Sequence, residues 1–184
     1  ILFFTLIIIS FIFYNTYFKD QNNVKIIEKT SVNQNKKEEE NNIIKNLKYE
    51  ISIDKNNNYN IFADLSEITY KDGSELVLME KVTATLTDEN NVSLLITSDK
   101  ASYNNSNYNT NFENNIEIKY LDNIIFAENM ILNFENNLIS IFEDVKYNGP
   151  KGNLETDNIK IDLITKKIDI FMNNNESVII TSNK

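Results

Sequence analysis

The sequence of 184 residues contains no Cys, His, Trp or Arg, only one Pro and only three Gly. The absence of Cys excludes a disulfide framework and thiolate metal sites. The absence of His removes the side chain that proteins use most often as a general base and as a metal ligand. All 18 basic residues are Lys, and the net charge is -9. Because nucleic-acid binding needs a cationic surface, this charge balance argues against a nucleic-acid partner.

The first 18 residues are apolar, and no charge occurs before Lys19. As a helix, 18 residues would span about 27 Å, close to the thickness of a bilayer's hydrocarbon core. Tyr14, Tyr17 and Phe18 would then lie where membrane proteins place an interfacial aromatic belt. A cleaved signal peptide is the alternative, but no small-x-small cleavage site follows and the run is long for such a peptide. The pattern therefore predicts an uncleaved transmembrane anchor over residues 1–18, with the rest of the chain outside the cytoplasm.

A polar segment follows the apolar run. Between Lys19 and Glu40 there are five Lys, five acids and few apolar residues. Such a composition buries too little apolar surface to order itself, so a flexible linker is predicted over residues 19–46. A short solvated helix near residues 36–48 is the alternative. The folded domain is predicted over residues 47–184.

Three stretches of the domain share one template: a small residue, an acid, Lys or Asn, an apolar residue, any residue, and an apolar residue. They are spaced by 29 residues and read 98–103 (SDKASY), 127–132 (AENMIL) and 156–161 (TDNIKI). The match continues downstream at Phe112, Ile141 and Ile170. A repeat of this length indicates one supersecondary unit that is copied and stacked.

The repeated unit has the pattern of β-structure. Met130, Leu132 and Phe134 alternate with Ile131 and Asn133, and a period of two places each set on one face of a strand. Each repeat holds about two strands, and no helical pattern of ten residues lies between the predicted strands. This regular spacing favours a sandwich, barrel, jelly roll or β-solenoid. Further strands are predicted at 49–53, 59–63, 75–79, 82–86, 92–97 and 177–181.

These features together resemble the LptC type of periplasmic bridge protein of lipopolysaccharide export. An apolar span and a polar linker precede Lys71-Asp72-Gly73, which lies in an early hairpin. Residues 98–103 resemble the family's A-x-x-A-x-Y-like strand, and residues 145–152 (VKYNGPKG) resemble its V-x-G-x-G-P-x-G segment. Asn148 stands where a Gly is common, so the turn there differs from the family pattern.

The resemblance implies an open β-jellyroll of two twisted antiparallel sheets, with acyl chains between the sheets and sugars outside. It implies open edges that pair with partner strands by strand addition. The lipid-binding positions would be Met130, Leu132, Phe134, Ile139, Ile141, Ile159, Ile161, Leu163, Ile168 and Ile170. The partner-binding positions would be Ile51 and Ile53 on the first edge and Val178, Ile179 and Ile180 on the last.

The function implied is that of a single-pass inner-membrane protein whose C-terminal domain lies in the periplasm. It would receive lipopolysaccharide from the inner-membrane ABC transporter and pass it to the soluble periplasmic bridge protein, without catalysis, cofactor or metal. The alternative is a membrane-tethered structural β-solenoid or surface-interaction domain. A solenoid would have parallel strands and a filled core, so strand direction distinguishes the two.

Asp99, Glu128 and Asp157 form a column of carboxylates, one in each repeat. Paired carboxylates can perform glycoside hydrolysis. Since these acids recur with the structural period, solvated acids at the strand starts are the favoured interpretation.

Asp54, Asn56 and Asn58 imitate the first half of a calcium-binding loop. Tyr59 stands where that loop needs Gly, and Leu65 stands where it needs a bidentate Glu. A hairpin loop is therefore predicted at this place instead of a metal site.

Overall fold

The computed structural model describes residues 43–52, 58–71, 73–87, 92–174 and 176–182. This part of the chain forms ten strands and no helix, which confirms the prediction of an all-β domain. The strands are β1 (Ile43–Ser52), β2 (Asn58–Lys71), β3 (Ser74–Thr87), β4 (Ser93–Asn104), β5 (Thr110–Tyr120), β6 (Asn123–Asn133), β7 (Leu138–Gly149), β8 (Gly152–Asp162), β9 (Ile168–Phe171) and β10 (Ile179–Ser182).

All ten strands belong to one antiparallel sheet in which β1 to β8 are neighbours in chain order. Strands β9 and β10 both pair with β8, β9 along residues 158–161 and β10 along residues 152–155. Among the described strands, β1 is therefore one edge of the sheet and β9 with β10 form the other. Since every pair is antiparallel, the parallel β-solenoid considered as an alternative is wrong.

The 29-residue period corresponds to successive hairpins, which are β4 with β5, β6 with β7, and β8 with β9. The first residue of each template, Ser98, Ala127 or Thr156, is buried at the same point of β4, β6 and β8. The third hairpin is shorter than the others because β9 has only four residues. The repeat thus positions equivalent side chains on alternate strands of the sheet.

Near the middle of several long strands the alternation of inward and outward side chains changes phase, so that the residues that face inward shift by one position. In β3 the buried residues Met79 and Val82 are three positions apart instead of two, and Lys81 between them has a φ of 53°. In β5 and β7 the register with both neighbours shifts at residues 114–115 and 143–144, where φ is also positive. Such irregularities bend a strand, so the same face stays on the inside before and after the bend.

The structure differs from the sequence prediction in two places. The runs 75–79 and 82–86, predicted as separate strands, are one strand, β3, because the alternation changes phase without a turn. The fold also starts earlier than the predicted boundary at Leu47, since β1 begins at Ile43 and Ile44 packs against the core. Residues 43–48 are strand, so this described part of the alternative helix over 36–48 is not helical.

The sheet covers its own apolar face. The Tyr49 ring in β1 packs against Tyr103 in β4, with ring centroids 5.2 Å apart. Tyr59 in β2 donates a hydrogen bond across the interior to Thr110 in β5. Because neither pair of strands is adjacent in the sheet, the β1–β2 end must fold over the middle strands. The described strands thus form one continuous sheet that folds over itself, and not the two separate sheets that the family resemblance implies.

Gly152 is expected to keep β10 attached to the sheet. It lies opposite Ser182, and a Cβ atom at this position would collide with the carbonyl oxygen of Thr181. We expect Gly152→Ala to release β10 while the remaining strands stay paired, because only β8 holds this strand among the described residues. Hydrogen exchange of the amides of residues 179–182 should become faster in this variant.

Asn153→Ala is the control, because Asn153 is the next residue of the same pairing and its side chain is exposed. It should leave the exchange of β10 unaltered. Equal protection of β10 in Gly152→Ala and in the unaltered chain would contradict this role of Gly152.

Candidate functional site

Two rows of side chains cross the inner face of the sheet. Directly paired residues of neighbouring strands share a face, so the strand register defines each row. The first row contains Ser66, Met79, Ala101, Phe112, Met130, Ile141, Ile159 and Ile170. The second row contains Ile68, Val77, Tyr103, Thr110, Leu132, Ile139, Ile161 and Ile168.

Burial along these rows ends abruptly at the last strand. Residues of the first row from Ser66 to Ile159 are buried, but Ile170 is 41% exposed. In the second row Ile139 is buried and Ile168 is 56% exposed. Because Ile168 and Ile170 pair directly with Ile161 and Ile159, they face the same side as the core. Their exposure shows that no described part of the chain covers the inner face at β9.

The structure therefore distributes the ten predicted lipid-binding residues over three environments. Their role in lipid binding remains a prediction. Five are buried, namely Met130, Leu132, Ile139, Ile141 and Ile159. Three are partly buried against the core, namely Phe134, Ile161 and Leu163. Two, Ile168 and Ile170, are exposed on the uncovered inner face. We call the set of Ile161, Leu163, Ile168 and Ile170 the open strip.

At the covered end of the interior, three side chains from separate elements meet. The hydroxyl of Tyr59 donates a 3.0 Å hydrogen bond to Oγ1 of Thr110. The Phe134 ring, which follows β6, lies 5.3 Å from the Tyr59 ring between centroids. Burial raises the pKa of Tyr59 far above its usual value, despite the opposing effect of the Thr110 hydrogen bond, so the hydroxyl stays protonated. We call Tyr59, Thr110 and Phe134 the closure.

Of the three residues of the closure, only Phe134 is predicted from the sequence to face inward. Thr110 follows the Asn-rich residues 104–109, where single residues carry little pattern. The turn is nevertheless ordered by side-chain hydrogen bonds, including one from the Phe134 backbone N–H to Oδ1 of Asn109, at 2.9 Å. Only the pairing of β5 with β6 places Thr110 beside Leu132 on the inner face.

Two other hydroxyls of the inner face, those of Ser98 and Thr156, donate hydrogen bonds to nearby backbone carbonyl groups. Ser98 donates to the carbonyl oxygen of Lys100 at 2.9 Å, and Thr156 donates to that of Phe171 at 3.0 Å. At the β8–β9 end of the two rows the side chains of Ile161, Ile168 and Ile170 are hydrocarbon. An apolar surface of this kind favours hydrocarbon over a polar ligand, because a buried polar group without a partner costs free energy.

The column of acids lies at the bends, where hydrogen bonds tie the two strands of each hairpin. Oδ2 of Asp99 accepts from the Asn115 amide at 2.6 Å. Oδ2 of Asp157 accepts from the Asn173 backbone N–H at 2.7 Å. In the middle repeat Asn129, which follows the acid, donates to Glu143 at 2.6 Å. These bonds support the interpretation that the acids belong to the repeat structure.

No group of three or more metal-ligating side chains occurs within the described residues. Asp54 and Asn56 of the calcium-loop hypothesis lie outside them, and Asn58 is the first residue of β2. At the turn between β8 and β9, Asp162 accepts the backbone N–H groups of Ile164 and Thr165. The bonds from Thr165 and Ile164 lower the pKa of Asp162, so this carboxylate shapes a turn.

Those predicted partner-binding residues that the structure describes lie in or next to the two edge strands, but they differ in exposure. Ile51 is buried in β1, so only its backbone is available for pairing with another strand, and Ile53 lies outside the described residues. Val178 is half-buried just before β10. Ile179 and Ile180 are 59% and 73% exposed in β10. Their contact with a partner remains a prediction.

The described residues contain no helix long and apolar enough to cross a membrane. Residues 1–18, the predicted anchor, lie outside the described part of the chain. Comparison with protein-family models finds a match over residues 5–176 to the family described as lipopolysaccharide-assembly, LptC-related. No curated protein matches the chain.

Ile141 and Ile170 test the difference between the covered and uncovered inner face, because they are equivalent residues of successive repeats. Ile141→Ala should lower the free energy of unfolding by about 2–5 kcal/mol, the usual cost of such a truncation in a core. Ile170→Ala should cost well under about 1 kcal/mol, because its side chain already contacts solvent. Urea unfolding followed by circular dichroism measures both. Equal losses would mean that something covers β9.

Proposed function

Since the chain belongs to the LptC-related family of lipopolysaccharide-assembly proteins, which are components of lipopolysaccharide transport and not enzymes, we propose a specific transfer role for it. It receives lipopolysaccharide from the inner-membrane ABC transporter and passes it to the soluble periplasmic bridge protein. Residues 1–18 anchor it in the inner membrane and the β-domain lies in the periplasm. The domain acts as an open β-jellyroll whose two layers are the folded parts of its sheet.

The observation that carries this proposal is the apolar inner face that continues from the core onto the uncovered strand β9. Ile168 and Ile170 extend the buried rows into solvent without a change of face. Burial of acyl carbons against such a surface is favourable by about 0.8 kcal/mol for each methylene group. The sugars and phosphates of a glycolipid stay in water, because their burial without partners is costly.

The inner and outer sides of β9 give a matched test of this site. A photo-crosslinking amino acid at Ile168 or Ile170 should capture lipopolysaccharide, because both side chains belong to the open strip. The same amino acid at Asp169 should not, because Asp169 pairs with Lys160 on the opposite face. All three positions are exposed, so a bulky substituent is tolerated equally well. Immunoblotting for lipopolysaccharide on the cross-linked protein measures capture.

Capture of equal strength at Asp169 and at its two neighbours would show that lipid does not distinguish the faces of the strand. The proposed acyl site would then be wrong. Chains carrying the substitution are first compared by circular dichroism, so that a difference in capture reports the position and not the fold.

The two edges of the sheet are the proposed contacts with the transport partners. An edge strand presents unpaired N–H and C=O groups, to which a strand of another protein can be added. We assign the β1 edge to the periplasmic β-domain of the transporter and the β10 edge to the soluble bridge protein. The exposure of Ile179 and Ile180 on a strand that is held only by β8 among the described strands supports the second assignment.

Proline substitutions in β10 test this assignment. Neighbouring residues of a strand direct their N–H groups to opposite edges, so Ile179→Pro and Ile180→Pro remove one donor from each edge. The variant that loses the donor on the free edge should bind the soluble bridge protein more weakly and keep nearly the same thermal midpoint. A pull-down and a thermal scan of both variants measure this.

Unaltered capture of the bridge protein by both proline variants would show that the export surface lies elsewhere. A large fall of the thermal midpoint in both would show that β10 belongs to the interior of the fold. Either result would contradict the assignment of this edge.

A further inference from the structure

The inner face has a second uncovered end, at β10. The strand register defines a further row of inward side chains that runs through Ile118, Ile125, Tyr147, Leu154 and Ile180. Ile118 is buried, Ile125 is partly buried against the core, and Tyr147 and Leu154 are half-buried. Ile180 ends the row and is 73% exposed, although it faces the same side as the core.

We propose that Tyr147, Leu154 and Ile180 form a second acyl-chain site, the β10 strip, and that one lipopolysaccharide molecule contacts it and the open strip with different acyl chains. This inference rests on the proposed function, because it concerns the same lipid on the same face of the sheet. It assigns the side chain of Ile180 to lipid and leaves the backbone pairing of β10 with the bridge protein as proposed above. The substrate it implies is a lipid with at least two acyl chains.

The side chains of the β10 strip favour hydrocarbon. Leu154 and Ile180 are aliphatic, and the hydroxyl of Tyr147 donates a 2.6 Å hydrogen bond to Oδ1 of Asn123. A Cβ atom at Gly149 would collide with this hydroxyl, so the glycine leaves room for the Tyr147 side chain along the sheet. Burial against such a surface stabilises acyl carbons, whereas the burial of polar groups without partners is costly.

The outward face of β10 has a different chemistry. Ile179 pairs with Glu155, which in turn pairs with Lys146, so its neighbours on that face are charged. Exposure alone does not distinguish the two faces, since Ile179 and Ile180 are both exposed. Their neighbours do distinguish them, and they favour contact with acyl chains on the inward face only.

The open strip and the β10 strip are separate places on the inner face. The residues of β8 that pair with Ile170 and Ile180 lie five positions apart, about 16 Å along an extended strand. Thr156 is buried between them, and its hydroxyl donates to the carbonyl oxygen of Phe171, the last residue of β9. Two chains of one lipid can therefore each use one strip, whereas a lipid with a single chain uses one strip only.

A photo-crosslinking amino acid tests the inward assignment of Ile180. In the full chain, without the bridge protein, it should capture lipopolysaccharide at Ile180 and at Ile170 but not at Thr181. Thr181 is the matched control, because it is exposed, follows Ile180 in β10 and pairs with Asn153 on the outward face. Immunoblotting for lipopolysaccharide measures capture.

The results of this experiment separate the β10 strip from the proposed function. Capture at Ile170 without capture at Ile180, or equal capture at Ile180 and Thr181, overturns the β10 strip and leaves the open strip standing. Failure of capture at both Ile168 and Ile170 overturns the proposed function itself.

A second experiment tests whether one lipid uses both strips. With the crosslinker at Ile170, the lipid concentration for half-maximal capture is measured by mass spectrometry for lipopolysaccharide and for a lysophospholipid, which has one acyl chain. Ile180→Ser should raise this concentration roughly fivefold for lipopolysaccharide, because lipid covers part of a side chain whose full burial corresponds to about tenfold or more. The value for the lysophospholipid should not change, since its one chain occupies the open strip.

Two further variants control for a disturbance of β10. Ile180→Leu keeps an apolar side chain and Thr181→Ala changes the outward face, so both should keep the lipopolysaccharide value of the unaltered chain. An unchanged value in Ile180→Ser, or an equal rise for both lipids, overturns the use of two strips by one molecule. A rise in Thr181→Ala as large as that in Ile180→Ser also overturns it, because the effect would then come from the strand and not from lipid contact.

Discussion

The fold depends on one constraint: the described part of the chain has no helix, so the sheet must cover its own apolar face. A sheet with only short-range hairpins has nothing else to bury that face against. The bends in the long strands solve this by turning each strand while the inward set of side chains continues on the same face. Contacts such as Tyr49 with Tyr103 then join strands that are far apart in the sheet. At the other end of the sheet, no described residue covers the inner face of β9.

The architecture of the repeats could be predicted from the sequence because its signal is local and occurs three times. Alternating apolar residues and a 29-residue spacing are enough to predict hairpins with equivalent faces. The bends were not predictable in the same way, because a phase slip within a strand looks like the end of one strand and the start of another. Residues 79–82 show this, since the polar pair Glu80 and Lys81 interrupts the alternation without forming a turn.

The candidate site could be predicted only in part. Ile141 and Ile170 occupy the same place in the pattern, but one is buried and the other is exposed. The difference depends on whether another layer lies above them, and no local pattern contains that information. The partnership of Tyr59 with Thr110 joins residues 51 positions apart that belong to different hairpins, so it also requires the folded sheet. The end of the repeat at Asn174, where Ile116 and Val145 stand in earlier repeats, was the one local sign of the uncovered edge.

The chain-order connection of the sheet has a consequence for how such proteins can change in length. Each repeat is a hairpin of two antiparallel strands. After one whole repeat the next strand therefore runs in the same direction as the first and presents the same face to the interior. With neighbouring strands about 4.8 Å apart, one repeat widens the sheet by roughly 9.6 Å. Duplication or loss of one repeat in evolution would therefore lengthen or shorten an apolar path in fixed steps. The bends in the strands, the two inward rows of side chains and a free edge strand would all be kept.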